Sequence, residues 1–280
     1  MVFNIQRKRW TLPVTLPKPA RDPAFEAVAN EFLQQVLVVR MAIRAFSFNA
    51  EIFARMLLGW KPDPKQGELL RTGKRTAVLN CSRQWGKTTV AAAKMLHMAL
   101  TRPGAVCMIV AENLSQTGEV FQKIDEFLEL LGVPARRDSG SGKAAMRVLP
   151  NGSRIMGIAI REAGVRGYTA DFVFLDEAAR LEDAAIDAML PVIAIREGDW
   201  WMASTPEGRR GRFYEMWAHG GEDVLKVSAT WKENSRLPAG FMDRVRREKG
   251  DLFVKQEFEC QFVENGQYLI SADQVNGVLE

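Results

Sequence analysis

The chain has 280 residues, of which 47% are hydrophobic and 26% charged, and its net charge is +4; that is enough for one large domain or two small ones with a real core, and mildly basic enough to admit a polyanionic partner without requiring one. Three well-separated cysteines (Cys81, Cys107, Cys260) and two histidines argue against a disulfide framework or a zinc site. The longest uninterrupted apolar run, AVCMIVA at 105–111, is far too short to span a bilayer, and the start MVFNIQRKRW puts apolar residues ahead of basic ones, the reverse of a secretory signal, so the expected setting is cytoplasmic.

Prolines at 13, 17, 19 and 23, interleaved with basic residues, predict an extended arm over residues 1–23. The spacing of Phe25, Val28, Phe32, Val36, Val39 and Ile43 then fits a helix to about Phe48. EIFARMLLG is a second short helix closed by Gly59, and WKPDPKQG is expected to be a loop.

From there short apolar runs alternate with helical stretches. Strands are expected at TAVLNC (76–81), VCMIVAE (106–112), DFVFLDE (171–177) and DWWMAST (199–205), with helices over 87–100, 114–131, 182–189 and 211–219. MRVLPNGSRIMGIAI (146–160) carries the Asn-Gly of a hairpin, and DSGSGK (138–143) is a loop. This alternation predicts an α/β fold, an open and mainly parallel central sheet with helices on both faces. The tail, from LKVSATW to about residue 265, is a strand and two helices, expected to form a small subdomain. The boundaries expected are 1–60 for the arm and helices, 61–220 for the core and 221–280 for the subdomain. A new motif begins at QYLISADQV just before Glu280, as in a truncated chain.

The chemistry starts at NCSRQWGKTTV, residues 80–90. It ends as a phosphate-binding loop does, although Cys81 stands where the pattern has its first glycine. A strand before it and an alanine-rich helix from Lys87 after it are the setting in which backbone N–H groups and a helix start face phosphates. In that role Lys87 reaches the terminal phosphates and the Thr88 hydroxyl binds Mg²⁺, with Ser82, Arg83, Gln84, Trp85, Gly86 and Thr89 lining the loop. In VFLDEA an apolar strand ends in Asp176, suited to hold a metal, and Glu177, suited to activate a water. Ser204, Thr205 and Pro206 in WMASTPEG follow the next strand. Gln66 lies just upstream of the loop strand, and its amide both donates and accepts, as adenine recognition requires.

Together NCSRQWGKTT, VFLDEA, ASTP and Gln66 resemble the ATPase domain of the large terminase subunit, the DNA-packaging motor of tailed bacteriophages. The resemblance runs from about Gln66 to Pro206, and more loosely to about residue 265. That family's loop typically lacks the first glycine and carries an arginine inside, as at Arg83. The resemblance implies an additional-strand P-loop NTPase fold (RecA-like) with ATP and Mg²⁺ as ligands. Its implied action is translocation of double-stranded DNA into a procapsid by a ring of copies, a pentamer in the family. It also implies a portal protein and a small terminase subunit as partners, no membrane, and action in the host cytoplasm at the procapsid. Carried over by position, Lys87 and Thr88 bind phosphate and metal, Asp176 is the metal aspartate and Glu177 the catalytic glutamate. Ser204, Thr205 and Pro206 match the coupling motif, and Gln66 matches the adenine-reading motif. The arginine finger is open between Arg83, sensing in the same subunit, and Arg166, acting across the ring.

The family's nuclease half has no counterpart here, so no strand cleavage is expected of this chain. Candidate DNA contacts are Arg209, Arg210 and Arg212 and, further on, Arg244, Arg246, Arg247 and Lys249, each run equally readable as a solvated face. Two other functions fit parts of the pattern: a helicase-like ATPase, and a nucleotide-switched DNA-binding or assembly module without turnover.

Overall fold

A computed structural model describes residues 2–4, 9–11, 49–138, 144–160, 168–234 and 237–263. The helix expected over 24–48 lies outside the described residues. Within the expected arm, β1 (Val2–Asn4) and β2 (Arg9–Thr11) pair as a two-stranded antiparallel ribbon.

Two short helices precede the sheet. α1 (Ala50–Met56) is capped by Asn49, whose side chain accepts from the N–H groups of Glu51 and Ile52. α2 (Pro64–Arg71) replaces most of the loop expected at WKPDPKQG. The side chain of Asp63 accepts from Gln66 N while Gln66 returns to Asp63 N, and Pro64 sits in the first turn, where a missing N–H costs nothing. The prolines that suggest a loop here are a helix start.

Eight strands form the main sheet: β3 (Thr76–Cys81), β4 (Val106–Ala111), β5 (Arg136–Asp138), β6 (Ala144–Val148), β7 (Arg154–Ala159), β8 (Phe172–Asp176), β9 (Asp199–Ser204) and β10 (Val224–Ala229). Their order is β10-β3-β9-β8-β4-β7-β6-β5. The first six are mutually parallel, and the β7–β6 hairpin with β5 extends one edge antiparallel. β9 is therefore an added strand between β3 and β8, as the additional-strand fold requires. β10 pairs along its whole length with β3, so the sheet runs past the boundary expected at residue 220.

The apolar strands read as continuous runs because both faces are covered. Leu79, Phe174 and Trp201 face one core with α3 (Lys87–Thr101) and α4 (Leu114–Leu130); Val78, Val173 and Met202 face the other, with Ile186 of α5 (Asp183–Ala194) and Phe213 of α6 (Gly211–His219). Gly157 of β7 permits the close approach of α4, since a Cβ there would stand 2.6 Å from the Phe121 ring. A third, smaller cluster, Met242, Val254 and Phe258, joins α7 (Phe241–Lys249) and α8 (Asp251–Glu257).

Candidate functional site

The parallel register brings the C-terminal ends of three strands level. Asn80 of β3 stands opposite Ser204 of β9, and Ala203 opposite Asp176 of β8. Chain crossings at such strand ends leave a crevice that connecting loops can line.

The β3–α3 loop turns the chain in five residues, with Gln84 at φ +63° and Gly86 at φ +110°. Gly86 is required twice over: its backbone favours glycine, and a Cβ would meet Gln66 Nε2 at 2.9 Å. Cys81 needs no such freedom. It is the last strand residue, paired with Ala229 and absent from the positive-φ positions, and its side chain is buried in the core. Burial pushes its thiol well above the ordinary range. A glycine is therefore unnecessary where the pattern has one.

Lys87 opens α3 and folds back, its ammonium donating to the carbonyls of Cys81 (2.9 Å) and Ser82 (3.3 Å). No side chain caps the start of α3, so its first N–H groups are left for a ligand. The Ser82 hydroxyl is buried in the same loop without a hydrogen-bond partner. Thr88 and Thr89 are half-buried in the first helical turn.

Beyond β8 the backbone turns sharply at Glu177 (φ +50°), and Glu177 N donates to Asp176 Oδ1 at 3.1 Å. Desolvation, and then the Glu177 charge, raise the Asp176 carboxyl to about 6; Lys87 is the strongest influence in the opposite direction. The loop lysine and the acidic pair thus share one electrostatic site. Glu177 Oε2 accepts from Ser204 Oγ at 3.4 Å. Asp176 and the Thr88 hydroxyl are hard oxygen donors, and the Asp176 carboxylate is disfavoured by burial and by the Glu177 charge beside it, which a bound cation such as Mg²⁺ would offset. Among the described residues no three His, Cys, Asp or Glu side chains form a ready cage, so such an ion would take most of its ligands from phosphate and water.

The family model "Terminase large subunit, T4likevirus-type, N-terminal" matches residues 78–276. The chain belongs to the terminase large subunit family. The large terminase subunit of Thermus phage G20c is 27% identical over 251 residues, covering 77% of this chain and 51% of that protein. This terminase chain thus spans about half the length of the curated relatives it matches. The large terminase ATPase domain of Thermus phage P74-26 superposes with a TM-score of 0.64 at 26% identity, over 75% of this chain and 97% of that one. The large terminase of another thermophilic bacteriophage, solved in complex with ADP, shares the fold at 15% identity and a TM-score of 0.59, over 72% of this chain and 54% of that one.

Of the remaining assigned residues of this terminase chain, Gln66, Arg83 and Thr205 are engaged within the protein. Gln66 stands beside the loop, but its Oε1 accepts from Asp63 N and its Nε2 donates to Trp85 O, both at 3.0 Å. It braces α2 against the loop. Arg83 is half exposed and turned toward α8: its Nε donates to Glu257 Oε2 at 2.6 Å and its backbone N to Glu257 O at 3.2 Å. Arg166 lies outside the described residues. Thr205 Oγ1 donates to the same Glu257 oxygen at 3.2 Å, and Pro206 follows it, buried.

Sequence reading missed Glu257, Asn234 and Arg180. Glu257 is buried and collects Arg83, Thr205 and Arg180, the last at 3.2 Å. Asn234 Nδ2 donates to Gln84 O at 3.0 Å. Nothing in the sequence marks either residue, because each meets the loop only through the fold. Arg180 had a signal: in DEAAR it falls three residues after Glu177. Of the basic runs, Arg212 forks onto Asp187 at 2.7 and 2.9 Å, and Arg246 pairs with Asp251 and Glu259. Arg247 and Lys249 are exposed.

Proposed function

We propose that this terminase chain hydrolyses ATP at the β3–α3 loop and couples turnover to movement of double-stranded DNA into a procapsid. In this reading copies of the chain form a ring and act with a portal protein and a small terminase subunit in the host cytoplasm. The observation that carries it is the convergence of Lys87, Asp176, Glu177 and Ser204 at the level ends of β3, β8 and β9. The ATPase-domain likeness to phage P74-26 and the ADP complex of the second thermophilic phage protein support the choice of nucleotide.

The loop N–H groups and the Ser82 hydroxyl receive phosphate oxygens, and Lys87 exchanges its carbonyl partners for the terminal phosphates. Mg²⁺ held by Asp176 and Thr88 would offset phosphate charge. Glu177 takes a proton from the attacking water as its oxygen bonds to the γ phosphorus and the bond to the β–γ bridging oxygen breaks, leaving ADP and phosphate. Arg83, on leaving Glu257, or Arg166 from a neighbouring copy, supplies positive charge to the transition state.

Phosphate release measured with and without DNA tests this. Glu177→Ala is expected to bind ATP yet lose about 100-fold or more of turnover, and Lys87→Ala to lose nucleotide binding. Equal turnover in wild type and Glu177→Ala would remove Glu177 from its role, and tight ATP binding without turnover in wild type would leave a nucleotide-switched module.

A further inference from the structure

We propose that Arg180 is a positioning residue for Glu177, fixing one carboxylate oxygen so that the other is presented to the attacking water; this rests on the hydrolytic reading above. Arg180 closes the one-turn 3₁₀ helix that follows Glu177, and its backbone N donates to Glu177 O at 2.9 Å. Each nitrogen of its guanidinium faces a carboxylate on a different segment. NH1 meets Glu177 Oε2 at 3.3 Å, Nε meets Glu207 Oε2 at 3.3 Å and NH2 meets Glu257 Oε1 at 3.2 Å.

Glu257 is almost wholly buried and its other oxygen is engaged by Arg83 and Thr205, so it is a fixed anchor. Glu207 follows directly on the Ser-Thr-Pro exit of β9. A planar guanidinium hydrogen-bonded through NH2 to the buried Glu257, with the Glu207 charge beside its Nε but no hydrogen bond there, has its NH1 corner set, which a flexible ammonium could not reproduce. That corner points at the proposed base.

Both side-chain bonds to Glu177, from Arg180 and from Ser204, end on Oε2. Among the described residues Oε1 accepts none. A carboxylate pinned through one oxygen keeps the lone pairs of the other for a proton, which is the geometry general-base catalysis requires. Without Arg180, Glu177 would depend on the 3.4 Å contact from Ser204 alone, on a backbone already at positive φ.

The test is single-turnover phosphate release and affinity for ATP-γ-S in wild type, Arg180→Ala, Arg180→Lys, Glu177→Ala and the Arg180→Ala/Glu177→Ala double variant. Arg180→Ala is expected to slow the chemical step about tenfold or more while ATP-γ-S affinity stays within about threefold. Arg180→Lys should be slowed as much as Arg180→Ala, because one ammonium cannot span the three carboxylates, and a rate restored to wild type would overturn the positioning role. The double variant should be no slower than Glu177→Ala, because an effect exerted through Glu177 disappears with it. If Arg180→Ala fails to fold, Arg180→Gln takes its place in each comparison.

An unchanged rate in Arg180→Ala, with wild type active and Glu177→Ala inactive, overturns the positioning role and leaves the hydrolytic reading intact. A further loss in the double variant overturns it too, since Arg180 would then act on the phosphate directly. Wild-type protein that releases no phosphate removes both.

Discussion

At the scale of single residues, Cys81 shows why a motif is a statement about backbone and not about letters. The first glycine of a phosphate loop supplies conformational freedom, and in this chain that position is ordinary strand, so the freedom is needed at the pattern's second glycine, Gly86. Cys81 instead packs in the core and contacts Val227 O through its sulfur at 3.7 Å. Restoring the common pattern should therefore harm the protein. Cys81→Gly removes a buried thiol and loosens a central strand, and is expected to cost about 1–3 kcal/mol, read as a lower urea midpoint. A gain in stability would mean that the loop entrance is strained by its side chain. Asp176 is the opposite case, a residue placed at a cost: its carboxyl is raised to about 6 by burial beside Glu177, a charge arrangement that a cation would relieve.

At the scale of elements, the notable contact is between α8 and the loop that opens α3. Glu257 accepts from Arg83 and Thr205 through one oxygen and from Arg180 through the other, and Asn234 and Cys260 add bonds to Gln84 and Asn80. α8 and the segments flanking the C-terminal helices thus hold the β3–α3 loop and the end of β3. Glu257→Ala would leave a buried hydroxyl and two arginines without their partner. Both arginines are partly exposed and can take water instead, so the cost is expected to be about 1–3 kcal/mol and not the 3–5 of a fully buried pair. Amide hydrogen exchange should then quicken at 82–86 and 254–260 together. Quickening confined to α8 would show that the loop does not depend on this contact.

At the scale of the whole molecule, the sheet order sets what can act on what. Inserting β9 between β3 and β8 puts a strand end carrying Ser204 and Thr205 beside both the loop and the acidic pair. Ser204 is one hydrogen bond from Glu177 and Thr205 one from Glu257, so in the proposed cycle a phosphate lost there would be felt at both carboxylates and, through Glu257, at α8. In the ring proposed above, a second kind of coupling would run between copies. If Arg166 acts in trans, mixing Arg166→Ala with Lys87→Ala should restore part of the hydrolysis that neither variant has alone, because some interfaces then pair an intact loop with an intact arginine. No recovery in assembled mixtures would count against Arg166 and leave Arg83 as the candidate.

The strands at 76–81, 106–111, 172–176 and 199–204 and the helices from 87 and 114 follow from the amino acids in order, because apolar runs, caps and turn residues act over a few neighbours. The same locality made Gly86, Lys87, Asp176 and Glu177 legible, since each belongs to a short motif. α2 was misread because Asp63 and Pro64 serve a turn and a helix start equally well, and packing on the sheet decides between them. The additional strand was implied by family resemblance, not by the residues, for buried parallel strands all look alike and none specifies its neighbour. The hold of Glu257 on Arg83 joins residues 174 positions apart. Local composition carries no trace of such a bond, because charges pair according to where the packed core leaves them, and only the tertiary structure decides that.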